Sequence, residues 1–181
     1  MTTTGTTPTP HRVRTRYDER MYAIMNCREG APLHATAGRR RAAVAFHVLL
    51  TGVILAAEFT GFATATPWLV VLAAPLLVLP WCMATGVLNA AIRGLLDLRP
   101  HVLDERQLAE RDRVRATANR LTTYVLGCGV AGGIVVGELG GLTVGGAVLP
   151  VLISAFVVHW LMPLWVAGMT AQDEPADETD E

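Results

Sequence analysis

Apolar positions along this chain gather into four long runs separated by charged segments. The runs cover Ala42–Phe62, Trp68–Leu88, Leu121–Leu142 and Val148–Val166. About 20 consecutive apolar residues cross a ~30 Å hydrocarbon layer as a helix, whereas apolar runs in the core helices of soluble proteins stop at roughly 10–14. Lipid offers no water to backbone N–H and C=O groups, so a crossing segment must bond them internally, and the runs predict helices. The expected fold is an all-α membrane protein with four transmembrane helices arranged as two hairpins.

This pattern divides the chain into an N-terminal segment 1–41, a first hairpin 42–92, a charged segment 93–120, a second hairpin 121–169 and a tail 170–181. Residues 1–10 contain only Met, Thr, Gly and Pro. Such a segment has nothing to bury and is expected to be disordered. The tail carries six acids in its last nine residues, and like charges in a block repel and stay solvated.

Between the hairpins, Val114, Ala118, Leu121 and Val125 follow a 4-3-4 spacing, an apolar stripe that predicts one long helix running from the charged segment into the third span. Pro100 suits the start of that helix. The pairs Arg106/Glu110, Glu110/Arg113 and Asp112/Arg115 have the spacing that favours a solvated helix, at about 0.2–0.5 kcal/mol each.

Composition agrees with the membrane reading: 51% of residues are apolar and 17% charged, further apolar than a soluble domain. Charge adds an orientation. All 15 basic residues are Arg; eight precede the first run, seven lie between the second and third, and the links 63–67 and 143–147 have none. Basic residues near span ends stay in the cytoplasm. The expectation is an inner-membrane protein with both termini and the central segment inside.

The two halves show internal likeness. Glu58-Phe-Thr-Gly61 matches Glu138-Leu-Gly-Gly141 at an offset of 80, which also places Arg40 on Arg120, and Asp18-Glu19-Arg20 matches Asp104-Glu105-Arg106. This predicts parallel repeats of one unit, a charged helix followed by a two-span hairpin.

Gly129, Gly133, Gly137 and Gly141 recur every fourth residue in the third span, with Gly145 continuing the spacing just beyond it, and Gly52, Ala56 and Thr60 do so in the first. Small residues at that spacing let membrane helices approach closely. The partner helix is either the first span of the same chain or a second copy, so a homo-oligomer is a candidate assembly.

Ionisable residues inside spans are functional candidates by default. His47 and Glu58 lie about 20° apart in helical angle and share a face. Glu58 and Glu138, if they face each other, form a candidate proton or cation site, since two close carboxylates cannot both ionise easily. Glu58 is also near enough to the span end to reach interfacial water. No zinc-binding His-Glu-x-x-His, nucleophile elbow or phosphate loop is present. Cys27, Cys82 and Cys128 have no metal-ligand spacing. No enzyme activity, cofactor, metal or nucleic-acid partner is therefore expected.

The stretch Leu103-Asp-Glu-Arg-Gln, followed by Arg111-Asp-Arg and Ala116-x-Ala118-x-Arg120 between two hydrophobic hairpins, resembles a group of uncharacterised small actinobacterial integral membrane proteins with four spans. The resemblance implies that layout and no particular activity. Locally, Ile54-Leu-Ala-Ala-Glu58-Phe-Thr-Gly61 is similar to the acidic first-span motif of small multidrug-resistance transporters, in which the Glu binds cationic substrate and protons.

The sequence thus favours an assembly or partner-binding membrane protein whose charged helices dock a protein at the cytoplasmic face, with Arg106, Arg111, Arg113 and Arg115 as partner or lipid contacts. The rival is a small proton- or cation-coupled transporter using Glu58 and Glu138. A third reading makes the basic helices a sensor of anionic lipid.

Overall fold

The computed structural model describes residues 15–25, 31–64, 67–140 and 144–171, with side chains described at 15–24, 32–60, 75–135 and 148–171. The described residues are helical or in turns, without a strand. The helices are α1 (Arg16–Met25), α2 (Ala31–His34), α3 (Ala37–Thr64), α4 (Pro67–Ala91), α5 (Glu105–Gly140) and α6 (Val144–Thr170). Two described segments, Ala37–Thr60 and Val148–Thr170, are long and apolar enough to cross a membrane, and Pro75–Ala91 is a shorter apolar helix. The expected span at 68–88 falls within α4, and that at 121–142 coincides with α5 as far as Gly140, residues 141–142 lying outside the described residues.

Helix starts follow local chemistry. Thr36 caps α3, its hydroxyl accepting the Arg39 N–H at 3.3 Å. α5 begins later than Pro100 suggests. Asp104 is its N-cap: its carboxylate accepts the Gln107 N–H at 2.7 Å, and the Gln107 side chain accepts the Asp104 N–H at 3.1 Å. This reciprocal pair satisfies two donors that a helix start leaves orphaned. α1 starts with the same device, Thr15 as N-cap and Asp18 in the first turn. The two acidic triplets therefore occupy different capping positions, Asp18 inside its helix and Asp104 just before its own.

α4 ends in a Schellman turn. Gly94 N–H reaches the Asn89 carbonyl and Arg93 N–H the Ala90 carbonyl, each at 3.0 Å. Arg93 holds φ 51° and Gly94 φ 68°, and the first is the left-handed position that glycine usually takes. From there a turn-rich connection buries Leu95, Leu98, Val102 and Leu103 before α5 begins.

α3 packs against α4 and α6, and α5 packs against α6; among the described residues α3 and α5 do not pack closely. The core joins Val44, Leu88, Ile92, Leu95, Val114, Ala118, Leu161, Met162, Leu164, Val166 and Ala167. All of these lie toward the end of the bundle that carries the arginines. On α5 the buried face continues from Val114 and Ala118 to Thr122, while Leu121 and Val125 are exposed. The stripe advances by fours rather than 4-3-4 because α6 follows one ridge of α5.

Gly168 marks the tightest approach. A Cβ there would sit 2.7 Å from Val44 Cγ2 and 3.4 Å from Leu88 Cδ2. By contrast, Gly52, Gly129 and Gly133 have open space where a side chain would project, and Ala56 is exposed. Every residue from 127 to 135 is exposed. The described glycines of the stripe, Gly129 and Gly133, do not pack against α3; Gly137, Gly141 and Gly145 lie outside the described side chains.

Candidate functional site

The only ionisable group wholly buried within a candidate membrane-spanning helix, among the described residues, is His47, at 0% exposure. α3 presents it toward α4 and α6 at a place where three helices meet. Its ring lies 5.1 Å from that of Trp81 and 6.1 Å from that of Trp165. Trp165 Nε1–H donates to His47 Nδ1 at 2.9 Å. An indole N–H is donor only, so Nδ1 is the acceptor. The neutral ring then carries its proton on Nε2 and donates it to Thr85 Oγ1 at 2.8 Å.

The circuit closes on the backbone. Thr85 donates to the Trp81 carbonyl at 2.8 Å. Trp81 Nε1–H donates to Thr51 Oγ1 at 2.9 Å, and Thr51 donates to the His47 carbonyl at 2.8 Å. On each helix, a ring that donates N–H sits four residues before a threonine: His47 with Thr51, Trp81 with Thr85. Each ring donates to the other helix's threonine, and each threonine returns its proton to the carbonyl of the ring residue on its own helix. Unpaired polar groups in a dry interior are costly, and here every one has a partner. Both His47 nitrogens are engaged, which leaves no lone pair for a metal.

Glu58 is eleven residues along α3, about 16 Å by helical rise, so the structure does not bring His47 and Glu58 together. Glu58 is half-buried, and its Oε2 is shielded without a hydrogen-bond partner among the described residues. Glu138 lies outside the described side chains. Among the described residues no cluster of three or more His, Cys, Asp or Glu side chains could hold a metal ion.

At the arginine-rich end, the basic residues divide into two kinds. Arg40 is buried, and its Nη2 donates to the Ala171 carbonyl at 2.7 Å. It thereby caps the C-terminus of α6, where orphan carbonyls and the helix dipole favour a cation. Arg111 is half-buried and donates to the Leu98 carbonyl at 3.0 Å, tying α5 to the connection before it. Arg106, Arg113 and Arg115 are exposed. Residues 105–120 expose no large apolar side chain, so this part of α5 is a solvated, mixed-charge surface.

α1 is fastened to the connection after α4 through Asp18, which is 2% exposed. Its carboxylate accepts the Thr15 N–H at 2.9 Å and the Thr15 hydroxyl at 2.7 Å. His101 Nε2 lies 3.2 Å and Arg99 Nε 3.7 Å away. The Thr15 amide and hydroxyl, then His101 and Arg99, hold the carboxyl at about 2, well below its ordinary 3.8. Burial, and then the charge of Arg40, pushes the His34 imidazole below its ordinary value.

Sequence reasoning missed Trp81, Trp165, Thr85, Gly168 and the role of Asp18. The repeated spacing of ring and threonine, His47 to Thr51 and Trp81 to Thr85, was the available signal. No family model matches the chain, and no curated protein or solved structure matches it.

Proposed function

We propose that this chain is a four-span protein of the inner membrane, with both termini and the segment before α5 in the cytoplasm, that docks a protein partner through its charged helices. The observation that carries this reading is α5 itself. One continuous 36-residue helix begins with Arg106, Arg113 and Arg115 exposed and no large apolar residue exposed beside them, then becomes apolar and glycine-rich. A solvated, mixed-charge face suits charge-steered recognition of another protein. The one-sided distribution of arginine supports the orientation. The exposed stretch 127–135 leaves room for a second copy in the bilayer.

Glu58 supports a second reading, proton- or cation-coupled transport with Glu138, because Oε2 is shielded and lacks a partner among the described residues. Reporter fusions test the topology: fusions after residues 65 and 145 should read periplasmic, and those after 20, 105 and 175 cytoplasmic. Two double variants separate the functions. Arg106→Ala with Arg113→Ala should abolish partner capture and leave any flux intact. Glu58→Gln with Glu138→Gln should leave capture intact; loss of flux in proteoliposomes instead would favour the transporter.

A further inference from the structure

We propose that α1 is an interfacial helix that lies on the anionic lipid surface of the bilayer holding α3 and α6. This inference rests on the membrane reading above. Measured from Tyr17 at 100° per residue, Met21 lies at about 40° and Ile24 at about −20°, while Glu19 lies at about 200°. Tyr17 and Ile24 are 56% and 66% exposed, so they form an apolar face that the described chain leaves uncovered. Arg20 at about −60° and Arg16 at about −100° line one edge of this face, and both are exposed. The Arg99 guanidinium stands 5.2 Å from the Tyr17 ring centre and 3.7 Å from Asp18, so a third cation lies on the opposite edge of the face.

A second observation fixes how this face is presented. Asp18 lies about 100° around the helix from Tyr17, and its contacts with Arg99 and His101 clamp that side of α1 to the connection after α4. The Tyr17–Ile24 face, a quarter-turn from that clamp, stays exposed at the end of the bundle, next to α4. An apolar stripe flanked by arginines is the pattern of helices that lie in the headgroup region. The flanking cations call for an anionic counterpart, which acidic headgroups supply at the end of the spans. The start of α5 makes the contrast: it has charge of both signs and no exposed apolar stripe, and so suits water and protein.

The test uses the full chain with its native cysteines replaced, reconstituted in nanodiscs of pure phosphatidylcholine or with phosphatidylglycerol added. Spin labels at Ile24→Cys, Glu19→Cys and Val53→Cys report oxygen access, which marks lipid, against access of a water-soluble nickel chelate. In the phosphatidylglycerol discs the label at 24 should be in lipid and the label at 19 in water. In the uncharged discs the label at 24 should return largely to water. Each of Arg16→Gln and Arg20→Gln should lower the docked-to-undocked ratio about fivefold, equivalent to ~1 kcal/mol per arginine at an anionic surface. A label at 53 found in water overturns the membrane reading and this inference with it. A label at 53 in lipid with 24 in water overturns this inference alone. Protection of 24 from both reagents points to a second copy or another protein on that face and also overturns it, as does equal burial in both lipids.

Discussion

The two ends of the bundle are built on different terms. At the arginine-rich end, α3, α4 and α6 interlock around Leu88, Leu161 and the His47 circuit, with Gly168 allowing the backbone approach. Beyond it, residues 127–135 of α5 are exposed on every side although four of the nine are glycines. Small residues permit close packing but contribute little contact area. A tight interface needs larger side chains opposite them, which Val44 and Leu88 supply at Gly168. Lipid replaces one apolar contact with another, so close approach and hydrogen bonds decide which membrane helices associate. The arginine-rich end has both.

The sharpest break of this contrast compares Leu88→Ala with Ile134→Ala. Leu88 is fully buried and Ile134 exposed. The first should cost about 2–5 kcal/mol by leaving a cavity; the second should stay within about 0.5 kcal/mol. Reversible unfolding in bicelles measures both, and equal losses would mean that the far half is packed by something outside this chain.

Glycine substitutions sharpen it further. Gly168→Ala should cost about 1–3 kcal/mol by overpacking. The clash falls on Val44, a β-branched residue with one preferred rotamer in a helix, which cannot turn aside cheaply. Gly133→Ala meets open space and should be neutral or slightly stabilising, since glycine inside a helix costs about 0.5–1 kcal/mol relative to alanine. Gly133→Leu that splits a crosslinked oligomer while leaving the monomer's stability unchanged would assign the stripe to contacts between copies.

A smaller effect belongs to the buried circuit. Trp165→Phe keeps the ring and removes the donor to His47 Nδ1. Interhelical hydrogen bonds in membranes average about 0.6 kcal/mol, and the loss should be of that order. Nitrogen NMR should show His47 with a protonated Nε2 and a bare Nδ1 in the native protein, with the Nδ1 signal moving in the variant. A native ring protonated on Nδ1 would refute the circuit.

Acidification should disturb the attachment of α1 least at neutral pH and most in strong acid. The Asp18 carboxyl is held at about 2 against an ordinary 3.8. A depressed carboxyl stabilises the folded form fully above its unfolded value, and the contribution fades as pH falls through the folded one. His34, pushed below its ordinary 6.5 by burial and then by Arg40, is also favoured as the neutral form, so its contribution begins to fall earlier, below about 6.5. A label on α1 should therefore loosen only in the more acidic stage, which Asp18→Asn should remove, while the His34 stage belongs to α2.

The sequence by itself determined the helices, the clustering of arginine on one side and the continuity of the charged segment into an apolar helix. These follow from local pattern: run length, periodicity and charge are readable one segment at a time. Capping at Thr15, Thr36 and Asp104 is local too, although Pro100, four residues before Asp104, has the character of a helix start without being one. Only the tertiary structure decided which glycine packs. Gly168 is isolated in sequence and matters because Val44 and Leu88, far along the chain, converge on it, while Gly129 and Gly133, regularly spaced, face open space. It also decided that His47 pairs with Trp165 rather than with Glu58 on its own helix. A side chain's own sequence records its helical angle, but its partner depends on which helices meet and at what height. Here that was settled by the pairing of α3 with α4 and α6, with α5 packed on α6 and on the connection after α4.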